Sequence, residues 1–374
     1  MLRFVTAGES HGKCLVAILE GLPAGVPVDL SAIEAEMKRR QWGYGRGPRM
    51  QFETDRVEIV SGLRRGKTLG SPLAMEIANK DCSIDRLPAV TQPRPGHADL
   101  TGAMKYDHRD IRNVLERASA RETAARVAVG AICKQVLSRL DIELASHVVA
   151  LGSVRAKPIP ATVKQLRAKA DPTPLRCLDP QATKQMIRLI DAAVKAGDTL
   201  GGVFEVVVEG APPGLGSYVH YDRRLDAILG RAILAIHAVK AVEIGDGTLA
   251  ASLPGSKVQD EIFYKKRTGF YRSQNRAGGF EGGMTTGQPI IVRGFLKPLS
   301  TLRKPLRSVE INTKKPVVAT VERSDVTTVP AAGVIGEAMI AFELAKACLE
   351  KFGGDSLREL TRNHQGYLRQ VSQF

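Results

Sequence analysis

The sequence predicts a mixed α/β protein folded as one domain, and three observations predict it. Two segments, Glu122–Leu140 and Ala331–Leu349, carry apolar residues on nearly every helical face, the pattern of helices buried on all sides. Runs with strand character recur from Leu2–Ala7 to Pro316–Val321, interleaved with helical segments. No composition break is sharp enough to be a linker, so the expected unit spans residues 1–374.

In chain order, Leu2–Ala7 and Leu15–Glu20 read as strands around a polar island. Ser31 with Glu34 three residues on forms a capping-box pattern, predicting a helix over Ser31–Arg40. Arg39–Arg49 is too dense in Gly and Pro for a regular element and reads as a loop. Val57–Ser61 and Pro72–Ile77 read as strands, and Asn79–Pro95 as irregular. Glu122–Leu140 is the first all-round apolar helix. Lys157–Leu175, rich in Pro, Lys and Ala, reads as surface. Gln181–Ala196 and Asp222–His237 read as helices with the strand Val203–Glu209 between them. Ala277–Gly287 is a glycine-dense loop, Pro289–Val292 and Pro316–Val321 are strands, and Pro330 suits the start of the second buried helix.

Composition narrows the function. The chain is 43% apolar and 25% charged, ordinary for a globular protein with a large core. No apolar run approaches the roughly 20 residues of a membrane span, and the first residues do not read as a signal peptide. Five dispersed cysteines without a Cys-x-x-Cys pair point away from disulfides and zinc and toward the cytoplasm. The net charge of +15 favours anionic partners. A nucleic-acid-binding protein is the rival reading. Yet there is one Trp and no basic run interleaved with aromatics, and many arginines sit in Gly- and Pro-rich islands. A pocket for a small phosphorylated or carboxylated ligand fits better.

Two islands set histidine beside glycine: Gly8-Glu9-Ser10-His11-Gly12 and Arg94-Pro95-Gly96-His97-Ala98-Asp99. Imidazoles among arginines suggest acid chemistry on an anion. Arg117, Ser119 and Arg121 precede one buried helix, and Arg323, Ser324 and Asp325 the other; a helix start with arginine and serine makes an anion site. Ser119 lies in Ala-Ser-Ala and lacks the nucleophile-elbow context. The glycine loops match neither a Walker nor a dinucleotide fingerprint. His108, His147, His220 and His364 read as surface or capping residues.

Taken together, Gly8–Gly12, Glu116-Arg117-Ala118-Ser119-Ala120-Arg121-Glu122-Thr123 and Arg323-Ser324-Asp325 closely resemble the three signature regions of the chorismate synthase family. Arg39–Arg49, Arg94–Asp99, Ala238–Gly245 and Gly278–Gly287 follow the same family in the same order. The resemblance runs from Met1 to about Leu349.

That resemblance implies an α+β fold, a β-α-β sandwich with long central helices between antiparallel sheets, assembled as a homotetramer. It implies conversion of 5-enolpyruvylshikimate 3-phosphate to chorismate, the last step of the shikimate pathway, by 1,4-anti elimination of phosphate. Reduced FMN is required without net redox change. By the same resemblance His11 protonates the leaving phosphate, His97 sits by the flavin, Asp325 accepts a proton, and Ser10 and Ser119 relay protons. Arg40, Arg46, Arg49, Arg94, Arg121 and Arg323 would hold the substrate's phosphate and two carboxylates, to which guanidinium is matched. Arg117, Ala118, Ser119, His237, Ala238, Gly282, Lys297, Pro298, Leu299, Ser300, Thr301 and Arg323 would hold FMN. Whether Arg40 and Arg46 also touch NADPH is open at this point, as is the division of roles between the two histidines. No metal, nucleic acid or membrane is expected. This chain departs from the family in two places. Many members read Arg-His-Asp-Pro where it has Arg323-Ser324-Asp325-Val326, and it is short between Asn79 and Gln92. Nothing resembling a flavin reductase is present, so reduced FMN comes from an external source.

Overall fold

The computed structural model describes residues 1–47, 53–266 and 269–374. Its first sheet is antiparallel and built from β1 (Arg3–Ala7), β2 (Cys14–Glu20), β3 (Glu58–Ser61) and β4 (Leu73–Ala78), in the order β1-β2-β4-β3. Helix α1 (Leu30–Gln41) interrupts it. The helix starts one residue before the expected Ser31. Its cap is Asp29, whose carboxylate accepts the Ser31 N–H at 2.8 Å, because an ionised acceptor outcompetes a hydroxyl for the free N–H groups. It ends at Gln41, one residue past the expected end at Arg40.

Two short helices, α2 (Asp99–Tyr106) and α3 (Arg112–Arg117), lead into α4 (Thr123–Ser138), the first expected buried helix. The second sheet is also antiparallel. It comprises β5 (Glu143–Leu151), β6 (Val154–Arg155), β7 (Gly202–Glu209), β8 (Val239–Ile244) and β9 (Ile290–Leu296), in the order β8-β9-β7-β5-β6. Between its strands lie α5 (Val163–Lys169), α6 (Pro180–Ala196) and α7 (Leu225–Leu234). The expected helix to His237 thus stops at Leu234. The glycine-dense loop folds as a small hairpin, Phe280–Glu281 against Met284–Thr285.

The second buried helix, α8 (Val329–Phe352), has Pro330 in its first turn, and α9 (Leu357–Ser372) follows it. Helix α4 packs on the first sheet, α8 on the second, and the two pack on each other, which gives the sheet–helix–sheet layering of an α+β sandwich. Glycine permits the contact: a Cβ on Gly130 of α4 would stand 2.4 Å from Ala338 Cα, and one on Gly336 of α8 would stand 2.6 Å from the Phe204 ring.

Three expectations need correction. The Lys157–Leu175 stretch is not simply surface. Thr162 and Gln165 form a capping box for α5, and Val163 and Leu166 are buried on Ala145 and Val207, on the outer face of the second sheet. His147 is buried against Glu205 at 2.9 Å, and His364 is buried beside the Phe352 ring. Strand β5 and helix α9 were not anticipated.

Candidate active site

A cavity of about 710 Å³, within the range of small-molecule sites, opens beside the starts of α4 and α8. It gathers residues from separate islands: Ser10 and His11; Arg40 and Arg46; Arg94 and His97; Ala118, Ser119 and Arg121; His237 and Ala238; Lys297, Leu299, Ser300 and Thr301; and Arg323 and Asp325. Arg117 is not among them. Its guanidinium turns away to the Thr6 and Gly8 carbonyls, at 2.9 and 3.1 Å. Pro298 and Gly282 also lie off the lining, and Arg49 lies outside the described residues.

His11 follows the end of β1. Its Nδ1 stands 2.9 and 3.0 Å from the two oxygens of Glu116, and its backbone N–H donates to Glu116 at 2.8 Å. An ionised carboxylate only accepts, so Nδ1 carries the proton of that contact. Nε2 lies 3.9 Å from Asp81, which also accepts from Arg323 at 3.1 Å. Burial would raise the Glu116 carboxyl, but the hydrogen bonds and charge of His11, with Arg112 behind, outweigh it and hold Glu116 below its ordinary value.

Around His97 the pattern repeats with a different balance. His97 Nδ1 is 2.5 Å from Asp99, a fully buried residue at the start of α2. Arg94 grips the same carboxylate through Nε at 2.8 Å and Nη2 at 3.0 Å and donates to Thr301 at 2.9 Å. Burial opposes ionisation of Asp99, yet His97 and Arg94 hold it well below the usual carboxylate range. Beside this corner Lys297 donates to Ser300 at 2.9 Å, and burial lowers its ammonium from the ordinary value.

The third corner is cationic. Arg40, on α1, donates to Asp55 at 2.9 Å and to Thr123 at 3.1 Å. Arg121 donates to the same Asp55 and to Asn79 at 2.9 Å. Arg46 pairs with Asp325 at 2.9 Å, and the Gly47 N–H takes the other Asp325 oxygen. Burial, then the crowding of Arg121 and Arg46, pushes Arg40 down to about 10 despite Asp55. Arg121 also lies 3.8 Å from Glu53, so three guanidiniums meet here among Asp55, Asp325 and Glu53, and guanidiniums gathered at a cavity wall suit a phosphate or carboxylate ligand.

His237 closes the wall. Ala238 takes the left-handed φ of 66° and accepts the Lys297 N–H through its carbonyl at 2.9 Å. Burial first, and then Arg126, lowers the His237 ring to about 4, so it is neutral at pH 7. Its Nδ1 is buried with no hydrogen-bond partner among the described residues. A buried polar atom at a cavity wall is satisfied by a ligand or water.

The sequence reading missed Asp55, Asp81 and Asn79. Glu116 and Asp99 stand inside islands singled out from the sequence but carried no expected role. Asp99 lies two residues from His97, and that spacing was the available signal. Glu116 lies 105 residues from His11, so its contact is made by folding.

A profile of the chorismate synthase family matches residues 2–349. The chain is 56% identical to a chorismate synthase of Symbiobacterium thermophilum, over 99% of this chain and all of the relative. It is 53% identical to chorismate synthase 1 of Bacillus thuringiensis, over 98% of this chain and all of that one. A crystal structure of chorismate synthase superposes with a TM-score of 0.83 at 42% identity, covering 100% of this chain and 99% of the other.

Proposed function

The chain belongs to the chorismate synthase family, lyases of the shikimate pathway, and from that premise we propose how its cavity eliminates phosphate from 5-enolpyruvylshikimate 3-phosphate. Arg40, Arg46, Arg121 and Arg323 bind the phosphate and carboxylates of the substrate, whose negative charge relieves the crowding of these cations. His11, held at Nδ1 by Glu116, gives the proton on Nε2 to the departing phosphate. Ser10 and Ser119 line the same wall and relay protons. The Ser119 hydroxyl oxygen accepts the Arg121 N–H at 3.3 Å, which leaves its own proton for a ligand. Asp325, set by Arg46 and Gly47, accepts the proton that leaves the substrate.

The residues present fit a reduced flavin. His237 offers an unpartnered buried nitrogen; Lys297, Ser300 and Thr301 offer donors; Ile236, Leu299, Ala332 and Ile335 offer an apolar wall. With Ala238 and His97, these residues would hold reduced FMN, which supplies transient electron density as the C–O bond breaks. Arg94 joins this set through Thr301 and His97 rather than standing with the other arginines. The flavin comes already reduced from an external source. The family supports a cytoplasmic homotetramer; among the described residues, no helix is long and apolar enough to cross a membrane.

The observation that carries this reading is the convergence of both histidines, Asp325 and the arginines on one cavity. An anaerobic assay with reduced FMN tests it: phosphate and chorismate appear together from the substrate. Absence of turnover overturns it. His11→Ala and His97→Ala each lower the rate; full activity in both would sink the assignment of roles.

A further inference from the structure

The cavity wall beside His237 is shaped by an irregularity in the second sheet. Strand β8 is an edge strand of that sheet and pairs with β9. Val239 stands opposite Leu296 and Ala241 opposite Phe295, so Lys240 is the extra residue of a β-bulge. A bulge interrupts the alternation of a strand and re-aims a side chain. Just before it, Ala238 holds its left-handed φ of 66°, and its carbonyl accepts the Lys297 N–H at 2.9 Å. The bulge and this bond set Lys240 beside Lys297, at the end of the strand pair that meets the cavity.

Two cations thus stand together without an acid. Lys297 donates to Ser300 at 2.9 Å, Lys240 is exposed, and neither is paired with a carboxylate among the described residues. Burial first, and then the charge of Lys240, hold the Lys297 ammonium below its ordinary value, with no acid acting the other way. The loop after Lys297 adds unused donors. The backbone N–H groups of Leu299, Ser300 and Thr301 bond nothing among the described residues, and all three residues line the cavity. Successive unbonded N–H groups beside two ammoniums are a setting in which anions bind.

The charge count narrows the anion. A phosphate monoester carries about −1.5 to −2 at pH 7, so a pair of lysines matches it where one does not. Two such monoesters belong to the chemistry proposed above, one on the substrate and one on the flavin. The arginine corner of Arg40, Arg46 and Arg121 suits the first. The lysines adjoin His237, Ile236 and Leu299, the wall that fits the flavin.

We propose that Lys240, presented by the bulge of β8, is a further binding residue of this site and holds, together with Lys297, the phosphate monoester of the flavin. Lys240 is itself off the cavity lining, so it meets only a group that reaches the rim. It takes no part in the elimination. This assignment rests on the flavin reading given above.

Riboflavin, which lacks the phosphate, is the control ligand. Oxidised FMN and riboflavin are each titrated into the unliganded enzyme and followed by quenching of flavin fluorescence. Lys240→Met should weaken FMN about 3- to 10-fold, between the worth of an exposed ion pair and that of a hydrogen bond to a charged group, and leave riboflavin unchanged. The loss should shrink in about 0.5 M salt, which screens exposed charges. Lys240→Arg should keep most of the wild-type affinity, and Lys297→Met should lose more, because Lys297 lines the cavity.

Unchanged FMN affinity in Lys240→Met overturns the proposal. So does an equal loss for both flavins, which would make Lys240 a residue of the fold. A higher KM for 5-enolpyruvylshikimate 3-phosphate with FMN affinity intact also overturns it and gives the lysine pair to the substrate. Failure of the parent reading looks different. Wild-type enzyme that prefers FMN to riboflavin, loses that preference in Lys240→Met and yet turns over no substrate keeps Lys240 as a phosphate ligand and refutes the elimination chemistry instead.

Discussion

Arg39 and Arg40 are neighbours on α1, and they enter opposite worlds. Arg39 is enclosed by acids: Glu36 at 2.6 Å, Glu337 at 2.8 Å and Asp171 at 3.0 Å. Lys134 and Arg176 complete that cluster, reaching Glu337 at 2.5 and 3.2 Å. Arg40 pairs with one carboxylate, Asp55, and feels a weaker pull from Asp325, in the company of Arg121 and Arg46. Burial penalises both guanidiniums. The acids carry Arg39 well above its ordinary value, whereas Arg40 is driven down to about 10. A buried cation with a full set of acids is structural; a buried cation crowded by other cations waits for an anionic ligand. The first cluster seats α1 on α4 and α8, and so fixes where the second presents its charges.

The largest way to break this contrast is Glu337→Gln. Glu337 is fully buried and takes Arg39, Lys134, Arg176 and the Ser146 hydroxyl, at 2.6 Å for the last. Neutralising it leaves three cations, Arg39, Lys134 and Arg176, to share Glu36 and Asp171. Removing one partner from a buried ionic set costs about 3–5 kcal/mol. Denaturant unfolding should show that loss. A variant as stable as the wild type would mean that the cluster is decorative.

Much of this architecture could be read in advance, and the exceptions have physical causes. Helices α4 and α8 were legible because they are buried on all sides, so their composition alone announces them. Strand β5 was not, because helices cover both of its faces and its Ala-Ser-His centre shows no alternation. Helix α9 buries little beyond Leu360 and His364 and reads as polar chain. The cavity residues were legible through their islands. Their anchors Asp55 and Glu116 were not, since an acid's partner is chosen in space. Arg39 and Arg40 show the limit most sharply. As neighbouring arginines in the sequence they looked alike; the rotation of about 100° between adjacent helix positions gives them different work.

Arg40→Met is the smaller and complementary test. It removes a cation held at a cost, and Asp55 keeps Arg121. Folding stability should change little, in contrast to Glu337→Gln. Binding of the phosphorylated substrate should weaken by about 1.5–3 kcal/mol, the worth of a hydrogen bond to a charged group, or roughly 10- to 150-fold in KM. Calorimetric binding and unfolding on the same sample separate the two effects. If stability collapses while KM holds, the roles of the two arginines have been read backwards.

The smallest effect sharpens the comparison through pH. Glu337 is held well below its ordinary carboxyl value of 4.5, burial being outweighed by Arg39, Lys134 and Arg176, and Glu36 is lowered in the same cluster. A carboxyl whose value is lowered on folding contributes stability that is complete above its unfolded value and is lost as pH falls toward the folded one. The cluster's contribution is therefore intact at pH 7 and begins to fall below about 4.5. Each pH unit traversed below that point removes about 1.4 kcal/mol per such carboxyl. The wild type should thus lose its advantage over Glu337→Gln as pH drops from 5 to 3, the gap narrowing by about 1–2 kcal/mol. Arg40 stays charged throughout this window, its value of about 10 lying far above it. Arg40→Met therefore removes no group that itself titrates in this window. Unfolding curves of the three proteins at several pH values decide the matter, and a gap for Glu337→Gln that stays constant with pH would show that the carboxylate's charge is not what holds α1 in place.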